Sequence, residues 1–566
     1  MHHYTTLKYT LCSVLTGAAL LLSSCAQASA TQTQSLSSSS ESIPVTVIDT
    51  STLFSQQDLD GSYDASQAVA ILLQGDTAAC DDPSVIMDGS TVTITAEGVY
   101  ILSGTLYDGQ IQINAPDSAQ VQLVLNGVDI TSADSSAIYA LEADHVFITL
   151  ADGSENSLSN GGAYLPIDEN NLDSVIFSKP DLTLNGSGSL AIYAEAGHGI
   201  VSKDDLIITG GTYTIEAASH GMTGKDTFCI ADGTFTITSG KDGLHAENTE
   251  DSTPGSLYIT GGTFTIAAQG DAVSASGALQ IDAGTFDLLT GGGSAAVSMS
   301  YDTAPAPDRS RSPGSGSDRR EAPSGLEEAS PDSAAQTNAE TTESDSTSPE
   351  DSETADSVSQ KGLKSDGTLV ILDGSFTIDT AVDALHAGGD LAIASGEFTL
   401  SSGDDAIHSD AAITILDGTY TIPVCYEGIE GCSITIWDGT FSITSYDDGL
   451  NAAGGTTGEG ADPQIFLTIN GGTLTVVSSG DCIDSNGDLT ISGGTLDLTC
   501  NGAADTALDV DGAYTHTGGS VTTNDGSEEN PGSMGGRGGS PGGGRMGDSS
   551  SPDRSAQKAP DLQTGS

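Results

Sequence analysis

LAIASGEFTL (residues 391–400), ITILDGTYTI (413–422) and ITIWDGTFSI (434–443) are successive copies of one ten-residue unit. The unit recurs as LIITGGTYTI (206–215), FCIADGTFTI (228–237), LYITGGTFTI (257–266), LVILDGSFTI (369–378), LTINGGTLTV (467–476) and LTISGGTLDL (489–498), and the starts are mostly 22, 22, 21 and 22 residues apart. A fixed period of this length signals stacked repeats, none of which can bury its apolar face alone. Within a unit the apolar residues alternate as in strands: Leu206 and Ile208 face one way, a Gly-Gly turn follows, and Tyr213 and Ile215 face in again. A third short strand is expected around Gly243, Leu244 and His245. Three strands per coil leave no room for a crossover helix, so the pattern predicts an all-β parallel β-helix, right-handed because parallel connections are. Its inward Ile, Leu and Phe should stack every ~4.8 Å into apolar columns.

Working outward from these coils, residues 181–300 and 361–522 read as β-helix repeats, and 43–180, with looser spacing in VTITAEGVYILSG, VQLVLNGVDI and HVFITLADG, as N-terminal coils and cap. Residues 301–360 carry fourteen acids against four arginines and almost nothing that packs, which predicts a disordered insertion. Residues 523–566, with GSMGGRGGSPGGGRMG, read as a disordered tail. At the other end, Lys8 and an apolar run from Leu11 to Leu22 make a secretory h-region too short to span a bilayer. It ends in Leu22-Ser23-Ser24-Cys25, which resembles a bacterial lipobox. Residues 1–25 are then a lipoprotein signal peptide with Cys25 as the acylated first residue, 26–42 a flexible tether, and the protein sits on the extracellular face of a bacterial cell membrane. An ordinary signal peptide cleaved near Ala28 to Ala30 is the alternative.

A formal net charge of -64 with only 15 Lys plus Arg argues against nucleic acid as a partner and leaves the lipid anchor as the one membrane contact, because phosphate binding needs a basic surface. Every Arg lies in 309–320 or 537–554, and the solenoid lysines are Lys179, Lys203, Lys225, Lys241, Lys361 and Lys364.

A polar column runs through the repeats. Five residues after the last inward apolar position of each unit stands an acid: Asp242, Asp271, Asp383, Asp405, Glu427, Asp448 and Asp481. Three residues further on come His245, Ser274, His386, His408, Glu430, Asn451 and Asp484. Carboxylates ~5 Å apart on adjacent coils repel by about 3 kcal/mol at an effective dielectric near 20, so something must compensate. Solvent screening of an outward ladder is one answer, with Asp-Gly simply making the turn. The other is a row of divalent cations, for which oxygen ligands and an extracellular setting favour Ca²⁺, with Asp404 and Asp447 thickening the ladder. His386 and His408 are poor calcium ligands and would donate to carboxylates or to a sugar. Trp437 is expected outward at a turn, where it could stack on a pyranose, and Tyr426 and Tyr446 flank the acids.

Units such as KDGLHAEN (241–248) and YDDGLNAA (446–453), with GGT[FY]TI, a lipobox and a low-complexity insertion, resemble the clostridial carbohydrate-binding family related to polysaccharide lyases. The resemblance covers roughly 180–520 and implies a right-handed β-helix that binds cellulose or acidic sugars and holds calcium. The expected function is therefore a surface-anchored, non-catalytic carbohydrate-binding protein for plant-type polysaccharide, with calcium along the acidic ladder.

Two alternatives stand beside it: a pectate-lyase-like enzyme and a passive adhesin or stalk. A lyase of this kind needs an Arg or Lys base, but the solenoid has no Arg, and a lysine beside carboxylates has its pKa raised rather than lowered. The pairs Asp404-Asp405 and Asp447-Asp448 and the tripeptide Gly197-His198-Gly199 suggest a hydrolase, but the tripeptide precedes both pairs, and no basic triplet follows. Of the cysteines beyond Cys25, only Cys425 with Cys432 looks close enough to pair.

Overall fold

The computed structural model describes residues 47–531 apart from 166–169, 171, 249–252, 300–358, 455–463 and 504, together with an antiparallel strand pair, Ser35–Ser38 with Glu41–Pro44. The expected signal peptide and lipidated Cys25 lie outside the described residues, as do most of the expected tether, insertion and tail.

Each coil is built from three strands, as Leu206–Ile208, Thr212–Ala217 and Met222–Gly224 show. They are called here the leading, long and short strands. From here on the strands pair in parallel with their equivalents one coil on, Leu206 with Phe228, Tyr213 with Phe235, Met222 with Leu244, whereas nearer the N-terminus Val69–Gly75 with Ala78–Ala79 and Val85–Asp88 with Thr91–Ile94 pair antiparallel. The chain is a right-handed parallel β-helix, and the long strand alternates, Thr234 and Thr236 exposed against buried Phe235 and Ile237, with a register shift between Thr399 and Ser401. A one-residue slip would turn the whole apolar set outward, so burial itself holds the register.

The apolar columns are visible as stacked rings. Phe235, Phe264, Phe286, Phe376, Phe398 and Tyr420 follow one another at centroid spacings of 4.7 to 4.9 Å, with planes within 5° of parallel. Fully burying one such ring contributes about 1.5–3 kcal/mol. The Gly before each long strand is required by these rings: Gly233 has φ +146°, and a Cβ there would lie 2.8 Å from the Phe235 ring. Phe286 stacks on Phe376, and Leu279, Leu288 and Val273 pair with Leu369, Ile378 and Leu363, so the coil stack continues directly across residues 300–358.

One element was not foreseen. Residues 47–59 run as a strap back along the leading-strand face of later coils. Asp58, held in a capping box by Ser55 at the start of the short helix Gln56–Leu59, accepts from Thr183 at 2.7 Å, and its carbonyl accepts from Thr209 at 2.6 Å. Further back, Ile48 and Gln280 exchange two hydrogen bonds, and Val47 packs against Val370 and Ala392. Where the strap lies, the outward residues of the leading strands include buried Cys229, Tyr258, Gln280 and Val370; beyond it they are Thr414, Thr435, Thr468 and Thr490.

The expected cysteine pair is not formed: Cys425 and Cys432 are both free. Cys425 turns into the core and donates to Thr444 O, while Cys432, on the outer side of the next turn, donates to Asp410 O, so the two side chains diverge.

Candidate functional site

The acid column occupies the corner between the long and short strands. Here the sheet is interrupted, and a backbone N–H on each following coil needs an acceptor. The column residues supply it. Asp242 Oδ1 accepts from Asp271 N at 2.8 Å, Asp271 Oδ1 from Lys361 N at 2.7 Å, Asp383 Oδ1 from Asp405 N at 3.2 Å and Asp448 Oδ1 from Asp481 N at 2.7 Å. Toward the N-terminus the same job falls to imidazoles: His198 Nδ1 accepts from His220 N, and His220 Nδ1 from Asp242 N. One oxygen of each of these acids is thus committed to the fold. The acids are also less exposed than an outward ladder would be, with Asp271 at 2 %, Asp383 at 3 % and Asp405 at 5 %, which removes solvent screening as the sole answer to their repulsion.

The second oxygen divides the column in two. From Asp242 to Asp405 it meets a base. His245 Nδ1 lies 2.7 Å from Asp242 Oδ2, and His386 and His408 donate to Asp383 and Asp405 at 2.8 Å. Lys361 also ion-pairs with Asp383, and Lys364 lies 3.8 Å from Asp271. Burial alone would raise the Asp242 carboxyl, but His220 and His245 outweigh it and hold the group below the usual range. Burial would lower His245, but the close carboxylates of Asp242 and Glu247 carry it up to about 9. His408 is pushed up to about 11 the same way, against burial, by Asp405 and Glu430.

From Glu427 onward the partner position holds Glu430, Asn451, Asp484 and Asp509, stacked in register with His408. Glu427, Asp448, Asp481 and Asp484 form no ion pair among the described residues. Burial first, then neighbouring carboxylates, push Glu427 up to about 9, Asp448 to about 8, Asp484 to about 7 and Asp481 to about 6. Asn451, 9 % exposed, donates to Glu427 at 3.0 Å, while its Oδ1 is buried with no hydrogen-bond partner. An all-oxygen set with an orphaned amide oxygen is the ligand chemistry of a hard divalent cation such as Ca²⁺, but among the described residues the groups whose ligand atoms converge within 4.8 Å lie earlier in the column: His220, Asp242 and His245; Asp383, Asp404 and Asp405; and Asp405, His408 and Glu430.

Tyr426 and Tyr446 stand at this corner on successive coils, where Asp447 N donates to Tyr426 O, and Tyr446 is 43 % exposed. Trp437 does not join them. It follows the leading strand at the other corner, half-buried rather than outward, with Nε1 buried and unpartnered. Sequence reasoning found the column but missed two partners of its acids, Lys361 and Lys364; both follow the insertion, where the repeat unit is interrupted.

Comparison with known proteins follows the same span. The family described as carbohydrate-binding domain-containing protein matches residues 88–406 and 404–534. A carbohydrate-binding domain-containing protein of Acetivibrio thermocellus is 41 % identical over 128 residues, 22 % of this chain and 45 % of that protein, so the chain spans under half of the relative's length. A polysaccharide lyase-like protein from C. thermocellum, solved as a gadolinium derivative, is 36 % identical over 40 % of this chain and 92 % of its own, with a TM-score of 0.39. With matches that together run from residue 88 to residue 534, over a β-helix whose repeats they follow, the chain belongs to the family of carbohydrate-binding domain-containing proteins.

Proposed function

We propose that this protein is a lipid-anchored, non-catalytic receptor on the cell surface for plant-type polysaccharide, cellulose or acidic sugars, with calcium bound along the acid-only run of the column. Carbohydrate binding follows from the family. The observation that carries the calcium is the set of carboxylates Glu427, Asp448, Asp481 and Asp484, raised by burial and by neighbouring carboxylates and without a cationic partner among the described residues, beside the orphaned Asn451 Oδ1. Glu427, Asp448, Asn451, Asp481 and Asp484 would hold a row of ions bridging neighbouring coils, and Tyr446 would flank a sugar bridged to one of them. Of the other acids expected as ligands, Asp242 and Asp383 are held low by His and Lys and have less need of an ion, whereas burial keeps Asp271 and Asp405 raised although Lys364 and His408 stand beside them.

The state of the two lysines that face the acid column after the insertion supports the non-catalytic reading. A lyase needs a lysine lowered toward neutrality. Lys361 is engaged with Asp383, and Lys364 is raised, since Asp271 and Asp366 outweigh its burial. The test is retention of the full-length chain on insoluble cellulose and on polygalacturonate, with and without chelator, while the supernatant is assayed for unsaturated or reducing products. Chelator-sensitive retention on polygalacturonate with no product is expected. Product release would make it an enzyme, and loss of all retention would leave the stalk or adhesin.

A further inference from the structure

The charged corner is one of three sides of the solenoid, and an uncharged glycan has nothing to gain there. The long-strand side has a different chemistry. Among the described residues every lysine flanks or lies in a short strand: Lys179, Lys203 and Lys225 just after one, Lys241 and Lys361 just before, Lys364 within. The long-strand side therefore has no cation. From Thr212 to Thr522 its first two outward columns are exposed Thr or Ser except at Asp287, Glu397 and Asp497. These hydroxyls repeat about every 4.8 Å along the axis and ~6.7 Å along each strand. The near-parallel stack of rings beneath keeps the surface flat.

At its N-terminal end the same side dips into a shallow, open and mainly polar depression of about 470 Å³. The dip exists because Ser157, Ser189 and Ala191 are small on coils that stack directly on Thr212 and Thr214. Its rim carries Asp129, Glu155 and Tyr193. Tyr193 is 41 % exposed, and its hydroxyl has no hydrogen bond to the described residues, although its register neighbours in the column are Ser159 and Glu216. Nothing in the packing calls for an aromatic ring at that position.

We infer that this depression is a second glycan site, in which Tyr193 stacks on one pyranose of a neutral, extended polysaccharide while Asp129 and Glu155 accept its hydroxyls, and the chain runs on along the Thr and Ser rows. A neutral ligand is favoured over a uronate because the side offers carboxylates and no lysine to meet a negative charge. The inference rests on the carbohydrate-binding reading and adds to it a second site, separate from the calcium corner, for the neutral of its two ligand classes.

The test compares the full-length wild type with Tyr193→Ala and Ala191→Arg on insoluble cellulose, on a soluble neutral β-glucan and on polygalacturonate with calcium. Both positions face solvent, so both variants should melt like the wild type. Tyr193→Ala is expected to weaken neutral-glucan binding by about tenfold, as loss of one stacking ring should, and Ala191→Arg, which fills the dip, to abolish it. Polygalacturonate binding should not change in either. Folded variants that bind neutral glucan like the wild type overturn the inference. A wild type that binds only polygalacturonate also overturns it but leaves the carbohydrate reading standing, whereas a wild type that binds no glycan removes both.

Discussion

Two stretches of one corner column, Asp242 to His408 and Glu427 to Asp509, share a fold position and differ in what faces each acid. In the first, a carboxylate that caps the next coil is balanced by His or Lys three residues on or one coil away. In the second, it faces another carboxylate or Asn451. The capping role explains why an acid recurs at Asp242, Asp271, Asp383, Asp448 and Asp481, and the partner decides whether the turn is closed in itself or lacks a charge. A repeat protein can in this way keep its architecture constant and vary its chemistry along the axis by changing one residue per coil.

The largest effect expected from breaking this contrast is at Asp383. Asp383→Ala removes a turn cap and strands Lys361 half-buried, which should cost about 3–5 kcal/mol by denaturant unfolding, as loss of one partner of a buried ion pair does. A cost under ~1 kcal/mol would show the paired stretch to be less closed than its geometry.

Calcium comes next. At a hundredfold excess over its dissociation constant, it should stabilise the full chain by about 2.7 kcal/mol. Asp484→Asn should abolish most of that gain, and Asp242→Asn should leave it intact. Equal losses would erase the distinction between the stretches.

The two stretches should also answer pH differently. His245, held up to about 9, contributes fully below about 6.5 and loses its contribution as pH rises through 9. Asp242, held low, contributes fully above about 3.9 and loses it as pH falls. Asp448 and Asp484 have the opposite sign from Asp242. With folded values up to about 8 and about 7, they bind protons more tightly folded than unfolded, and they withdraw stability as pH climbs from about 3.9 through those values. Without divalent cations, amide exchange in coils 448–509, corrected for its intrinsic pH dependence, should accelerate between about pH 5 and 8 while the coil of Asp242 and His245 stays protected. Calcium at the upper end should restore protection; uniform exchange along the solenoid would contradict the assignment.

The smallest effect is at Tyr446. Tyr446→Ala at an exposed position should change stability by less than about 0.5 kcal/mol but lower calcium-dependent retention on polygalacturonate. Unchanged retention would remove this ring from the sugar contact.

The strand pattern, the glycine turns and the column of acids were all legible in the sequence, because each depends on residues close in the chain and repeats at the coil period. LIITGGTYTI already contains the inward pair Leu206 and Ile208, the turn, and the inward pair Tyr213 and Ile215. Even the change of partner from His408 to Glu430 is written in the register. What it means depends on contacts between side chains three residues apart and one coil apart at once, and these exist only after the coils stack. The same holds for the strap, whose Ile48 meets Gln280, and for Lys361 beside Asp383 after the insertion. The cysteines show the converse. Cys425 and Cys432 are near in sequence yet diverge, since one is turned into the core and the other out at a turn. Local periodicity determines a solenoid on its own, because each coil needs only its neighbour to bury its apolar face. Burial of the acids, the charge each one meets and the dip beside Tyr193 were decided only when distant residues were stacked at the spacing of adjacent coils.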